Sequence, residues 1–221
     1  MDLAQRLATV RAAVADAAAT AGRDADAITI IVVTKFHPAS LVRELAALGV
    51  RDVGENRHQE AVVKAAEVGV DSLRWHFIGQ LQSNKARQVR GYASSVHSVD
   101  RPALLDALAG STTLDVFLQV NLTDDPRRGG VQPDGLEPLA ERALATPGVR
   151  LAGLMAVAPL GTEPRAAFAR VRDYSQRLRT LAPEASDLSM GMSADFREAI
   201  AEGATHLRIG SAITGNRPAR G

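Results

Sequence analysis

A lysine closes the first apolar run of the chain, Ile28-Thr-Ile-Ile-Val-Val-Thr-Lys35. The run is nearly continuous in β-branched residues, the pattern of a parallel strand buried on both faces. An amine at the end of such a strand can be desolvated, lose its proton and attack a carbonyl carbon. The plainer reading is a lysine that snorkels its amine to water. Two later segments carry a complementary chemistry: Ser189-Met-Gly-Met-Ser193, ahead of a helix opening at Asp195, and Arg208-Ile-Gly-Ser211. Small residues let backbone approach an anion, hydroxyls add donors, and a helix start offers unpaired N–H groups. The alternative is that Ser193 only caps that helix and the glycines only make turns.

These residues act together only if the fold gathers them. Short β-like runs fall at Ile28–Lys35, Asp52–Gly54, Trp75–Gly79, Ser95–Val99, Leu114–Asn121, Leu151–Met155, Asp187–Ser189 and His206–Ile209. Between them lie helical patterns, among them Ser40–Leu48, Arg57–Glu67, Leu136–Ala145 and Arg165–Leu181. An alanine-rich amphipathic helix precedes them all over residues 2–21. Eight alternating units predict a parallel sheet closed into a (β/α)8 TIM barrel, one domain over residues 1–221. An open doubly wound sheet is disfavoured, since no Gly-x-Gly-x-x-Gly follows the first strand. In such a barrel the loops after strands seven and eight often hold phosphate, at the mouth where strand one ends. A reactive amine facing a phosphate grip describes the binding of pyridoxal phosphate, a phosphorylated aldehyde. Arg208 is then placed to face the pyridine ring, where its charge disfavours protonation of the ring nitrogen.

Other polar residues end the strands: Glu55 and Asn56, then Gln80 and Asn84, then Asn121. They suit ligand hydrogen bonding, although Ser83 or Asn84 equally suits a helix cap. His76 reads as a satisfied core histidine, and Met155, Met190 and Met192 as packing or cofactor-wall residues. No spacing suggests a metal site or a serine hydrolase. Thr123-Asp-Asp-Pro-Arg-Arg-Gly-Gly130 reads as a polar, mobile loop.

The bulk numbers exclude several classes. Basic and acidic residues number 26 and 25, so the net charge of +1 gives no reason to expect nucleic acid or anionic membrane as partner. With no cysteine, disulfides, thiol catalysis and the common zinc frameworks fall away. No signal peptide or spanning segment is recognisable, and a cytoplasmic protein is expected.

At these residues the chain resembles the pyridoxal 5'-phosphate homeostasis proteins, relatives of the alanine racemase barrel. The matching blocks run in order: Val33-Thr-Lys35, Gly54-Glu-Asn-Arg57, Trp75-His-Phe-Ile-Gly-Gln-Leu-Gln-Ser-Asn-Lys85, His97-Ser-Val-Asp100, Gln119-Val-Asn121, Gly153-Leu-Met155, Leu188-Ser-Met-Gly-Met-Ser-Ala-Asp195 and Arg208-Ile-Gly210. The resemblance implies a fold-type III barrel binding pyridoxal phosphate as an aldimine of Lys35. It implies a phosphate grip by Ser193, Gly210 and Ser211, with Arg208 at the pyridine nitrogen, and Asn56 near the ring; Met192 joins the cofactor-binding set. It also implies a role in vitamin B6 homeostasis without turnover, with apo-enzymes as candidate recipients; the assembly is a monomer or weak dimer, between which the outer helices do not decide. Arg128 and His37 stand where many relatives carry lysine, and Thr214 where an aromatic residue is usual.

Two rival functions follow from the same residues. A slow amino-acid racemase would need a tyrosine across the cofactor from Lys35, which racemases of this fold type look to take from a second, β-rich domain. The sequence ends at Gly221, beyond strand eight, and its only tyrosines, Tyr92 and Tyr174, fall on or beside predicted helices. A barrel enzyme for an ordinary phosphorylated metabolite would use Lys35 only as an electrostatic clamp. The carrier ranks first.

Overall fold

The computed structural model describes residues 1–69, 73–125 and 127–216. Eight parallel strands close on themselves in sequence order, each pairing with the next and the eighth with the first. They are β1 (Thr29–Val33), β2 (Asp52–Glu55), β3 (Arg74–Phe77), β4 (Ser95–Val99), β5 (Leu114–Gln119), β6 (Val149–Met155), β7 (Asp187–Ser189) and β8 (His206–Ile209). Every strand expected from the sequence is present. The largest correction concerns β1, which stops at Val33 and leaves Lys35 in the following turn. The Thr34 amide still bonds to Gly54 O at 3.0 Å, but the His37 amide turns back onto Thr34 O at 3.1 Å and ends the extended run.

Helix α1 (Leu3–Thr20) opens on a reciprocal cap, in which Asp2 accepts from the Gln5 amide and Gln5 accepts from the Asp2 amide. Around the barrel run α2 (Ala39–Ala47), α3 (His58–Val68), α4 (Ala86–Arg90), α5 (Pro102–Leu108), α6 (Leu136–Leu144), α7 (Pro164–Leu181), α8 (Phe196–Ala201) and α9 (Ser211–Thr214). The main apolar core lies between sheet and helices, and includes Val32, Val53, Trp75, Leu118 and Phe168. A second small cluster, Phe117, Ala152 and Met155, is separate from it.

The barrel interior departs from the branched aliphatic filling usual in this architecture. Asp52, His76, Ser95, His97, Ser189 and Arg208 are all buried and hydrogen-bond to one another across strands. Such a core is tolerable only because its polar atoms are paired.

Candidate functional site

The seven residues expected to bind the cofactor all line one cavity of about 500 Å³ at the C-terminal mouth of the barrel: Lys35, Asn56, Met192, Ser193, Arg208, Gly210 and Ser211. His37 and Thr214 line it too, so two of the three departures from the expected pattern sit at the site itself. The third, Arg128, is exposed and lines a smaller neighbouring cavity; Val157 borders both. Pro126, within the loop expected to be mobile, lies outside the described residues, as does the end of the chain from residue 217.

The turn carrying Lys35 is held from behind by a charged network that sequence reasoning missed. Thr34 donates through its hydroxyl to Glu55 Oε1 at 2.7 Å, and Lys64 Nζ donates to that same oxygen at 2.7 Å and to Thr34 O at 2.8 Å. Glu55 and Lys64 are buried. Burial pushes the Glu55 carboxyl above its ordinary value, against the pull of Lys64. Phe36, next to Lys35, takes a left-handed backbone at φ 70°, the one non-glycine residue among those described to do so. Its amide donates to Glu60 Oε2 at 3.0 Å, and the Arg57 guanidinium lies 4.8 Å over its ring. A lysine three residues before a glutamate on a helix looks solvated in sequence, so no pattern announced Lys64 as buried. Lys35 itself is half-buried, and its amine has no hydrogen bond or ion pair among the described residues.

Opposite Lys35 the grip differs in detail from expectation. Helix α8 opens at Phe196 rather than Asp195, and Ser193 does not cap it. Asp195 Oδ1 instead accepts from the Met192 amide at 2.6 Å, folding Met192–Asp195 into a turn that leaves the Ser193 side chain to the cavity. Ser83 and Asn84 also cap nothing; α4 begins without a side-chain cap. Met190 is fully buried packing, whereas Met192 is 38% exposed at the rim. Gln80 and Asn84 stand outside the cavity lining. Asn121 is spent on its own loop, donating to Asp125 O and Arg128 O and accepting from Thr123.

Arg208 is buried and donates only to uncharged groups: Ser189 O at 2.6 Å, Ser189 Oγ at 2.8 Å and Ala156 O at 2.9 Å. Burial lowers its pKa to about 10, with Asp195 acting in the opposite sense. A buried cation held by neutral oxygens favours electron-rich or anionic atoms nearby. Asn56 adds a second open polar group, since its buried Oδ1 has no partner among the described residues. Its position is set by Gly79, where a Cβ would lie 2.2 Å from Asn56 O. An uncommitted amine, an unpartnered amide and a buried guanidinium in one cavity fit a phosphorylated aromatic aldehyde.

The family profile described as alanine racemase, N-terminal domain, matches residues 6–218. A pyridoxal phosphate homeostasis protein of Pseudomonas aeruginosa is 44% identical, over 97% of this chain and 96% of its own. One of Escherichia coli is 39% identical, over 98% and 97%. The chain belongs to the pyridoxal phosphate homeostasis protein family. PipY of Synechococcus elongatus, solved with pyridoxal phosphate bound, superposes with a TM-score of 0.84 at 38% identity, covering 97% of this chain and 100% of its own. Alanine racemase of Corynebacterium glutamicum shares the fold, with a TM-score of 0.75 at 16% identity, and is covered over only 62% of its length. Among the described residues no helix is long and apolar enough to cross a membrane, and no group of acidic residues and histidines is arranged to hold a metal.

Proposed function

We propose that this protein binds pyridoxal phosphate at the barrel mouth and keeps it in reserve, a part in vitamin B6 homeostasis without turnover of its own. The observation that carries the reading is the convergence of Lys35, Arg208 and the Ser193–Ser211 loops on one cavity. Bound there, pyridoxal phosphate supplies an aldehyde that condenses with an amine and releases water. Lys35 provides the amine. Ser193, Gly210 and Ser211 hold the phosphate, Arg208 faces the ring nitrogen and keeps it unprotonated, and Asn56 orients the ring. Neither tyrosine lines the cavity. Tyr92 stacks on His58 with its centroid 5.9 Å away, and Tyr174 lies in α7. That supports a carrier over a racemase, which needs an acid/base on the far side of the ring. Delivery to apo-enzymes in the cytoplasm, by a monomer or weak dimer built from this one domain, completes the reading.

The test is the visible spectrum of the protein with added pyridoxal phosphate, beside Lys35→Ala. A lysine-linked band present in the native chain and lost in the variant is expected, with a melting temperature that rises with cofactor concentration in the native chain. No band in the native chain overturns the reading. Exchange of an amino acid's α-proton in heavy water, faster than with free cofactor, would favour the racemase instead.

A further inference from the structure

The polar core of the barrel runs unbroken from Arg208 at the cavity to Asp52 at the opposite end, and its hydrogens can be assigned from both ends. A guanidinium only donates, so Ser189 Oγ accepts from Arg208 and must send its own hydrogen elsewhere. Among the described residues its one other partner is His97 Nδ1, 2.8 Å away, so that nitrogen takes the hydrogen, which would otherwise be buried unpaired. At the far end Asp52 accepts from His76 Nε2 at 2.9 Å and from the Arg74 fork at 2.7 and 2.6 Å. His76 Nε2 thus carries hydrogen, and in that tautomer Nδ1 is the acceptor. Ser95 Oγ lies 2.7 Å from that nitrogen and 3.0 Å from His97 Nε2. The two directions meet without conflict: His97 Nε2–H is shared between Ser95 Oγ and His76 Nδ1, each 3.0 Å away, and Ser95 donates to His76. Every bond points from the cation toward the carboxylate, an arrangement in which each bond polarises the next.

We infer that Ser189, His97, Ser95, His76 and Asp52 form a directional relay that positions the Arg208 guanidinium for the cofactor. The inference rests on Arg208 facing the cofactor, as proposed above. It makes the two histidines and two serines positioning residues, none of them in the cavity lining. Asp52 and Arg74 also line a separate cavity of about 480 Å³ beside α1, so the far end of the relay borders a cavity of its own. The charged or titratable groups facing the two histidines are Asp52 from β2, Arg74 from β3, and His206 and Arg208 from β8; Asp187 of β7 faces His206, and β5 presents the Phe117 ring. Burial holds His97 well below its ordinary pKa, which keeps the ring neutral as the relay requires.

Two measurements test this. Nitrogen-15 NMR of the unliganded protein at neutral pH should find both His76 and His97 neutral with hydrogen on Nε2. Hydrogen on Nδ1 of either ring, or a charged ring, would break the chain of donors and overturn the inference. In the cofactor-loaded protein, Ser189→Ala should weaken pyridoxal phosphate binding about tenfold by removing one charge-assisted bond. Asp52→Asn should move the midpoint of the bound cofactor's spectral pH titration from the far end of the barrel. His97→Gln, which keeps a donor and an acceptor, should retain more of the native titration than His97→Phe. Folded Ser189→Ala and Asp52→Asn proteins with native affinity and native titration would sink the relay while leaving the native cofactor band in place. If Asp52→Asn fails to fold, Ser189→Ala and the tautomers still decide.

Discussion

A single buried lysine matters here for what it holds rather than for what it does. Lys64 and Glu55 have side-chain exposures of 8% and 1%, and both grip Thr34, the residue before Lys35. Removing one charge leaves the other buried and unpaired, at a cost of roughly 3–5 kcal/mol, whereas removing both is far milder. Lys64→Met should therefore destabilise by about 3 kcal/mol in urea denaturation, and Lys64→Met with Glu55→Gln should recover most of that loss. Cofactor affinity is expected to fall in the single variant as the Lys35 turn loosens. At this scale the sequence was legible in bringing Lys35, Ser193 and Arg208 to one cavity, since each lies at or just past the end of a strand. It was silent where function depends on a partner far along the chain: nothing near Lys64 or His97 predicts Thr34 or Ser189 as neighbours.

Elements set the site through close backbone contact. Gly79, after β3, touches the Asn56 backbone, and Gly153 in β6 leaves no room beside Asp187 O, which a Cβ would approach to 1.9 Å. The β5–β6 register shifts next to Gly153, between Val116 and Phe117. Gly79→Ala should push Asn56 out of place and weaken cofactor binding more than it lowers stability. Gly153→Ala should cost about 3 kcal/mol through overpacking, with little specific effect on the cofactor once folded. Titrations of cofactor spectrum and of urea unfolding on the two variants separate these outcomes. β1 was readable from its run of β-branched residues, the composition of a strand buried on both faces, and the other strands from short apolar runs set between helical patterns. Their ends were less so. Val33 rather than Lys35 terminates β1 because a turn bond from His37 and a clamp from Glu60 compete with the sheet, and both are tertiary choices.

Across the whole molecule, the polar barrel interior makes stability depend on acidity. Burial lowers His206 from 6.5 to about 4, against the attraction of Asp187. The unfolded chain then binds a proton that the folded chain refuses, so this contribution is complete above pH 6.5 and is lost as pH falls toward 4. It amounts to about 3 kcal/mol. Asp52 continues the trend at lower pH: burial raises its carboxyl, but hydrogen bonds from His76 and Arg74 outweigh burial and bring it to about 2, from 3.8. Its contribution is present above pH 3.8 and fades as pH approaches 2. Urea unfolding at a series of pH values should show stability declining from neutrality to pH 4, and His206→Asn should make that segment shallower, His97 supplying the remainder.

The alternation of strand and helix, the barrel, and the identity of the residues at its mouth were determined by the sequence alone. Local composition decides which segments can be buried strands, and barrel closure then carries every strand end to one face. Only the tertiary structure decided that the interior is a chain of hydrogen bonds rather than packed aliphatics, and that Lys64 is buried under the Lys35 turn. Those features depend on which side chains meet across strands, and hydrogen-bond direction exists only once donor and acceptor share a place in space.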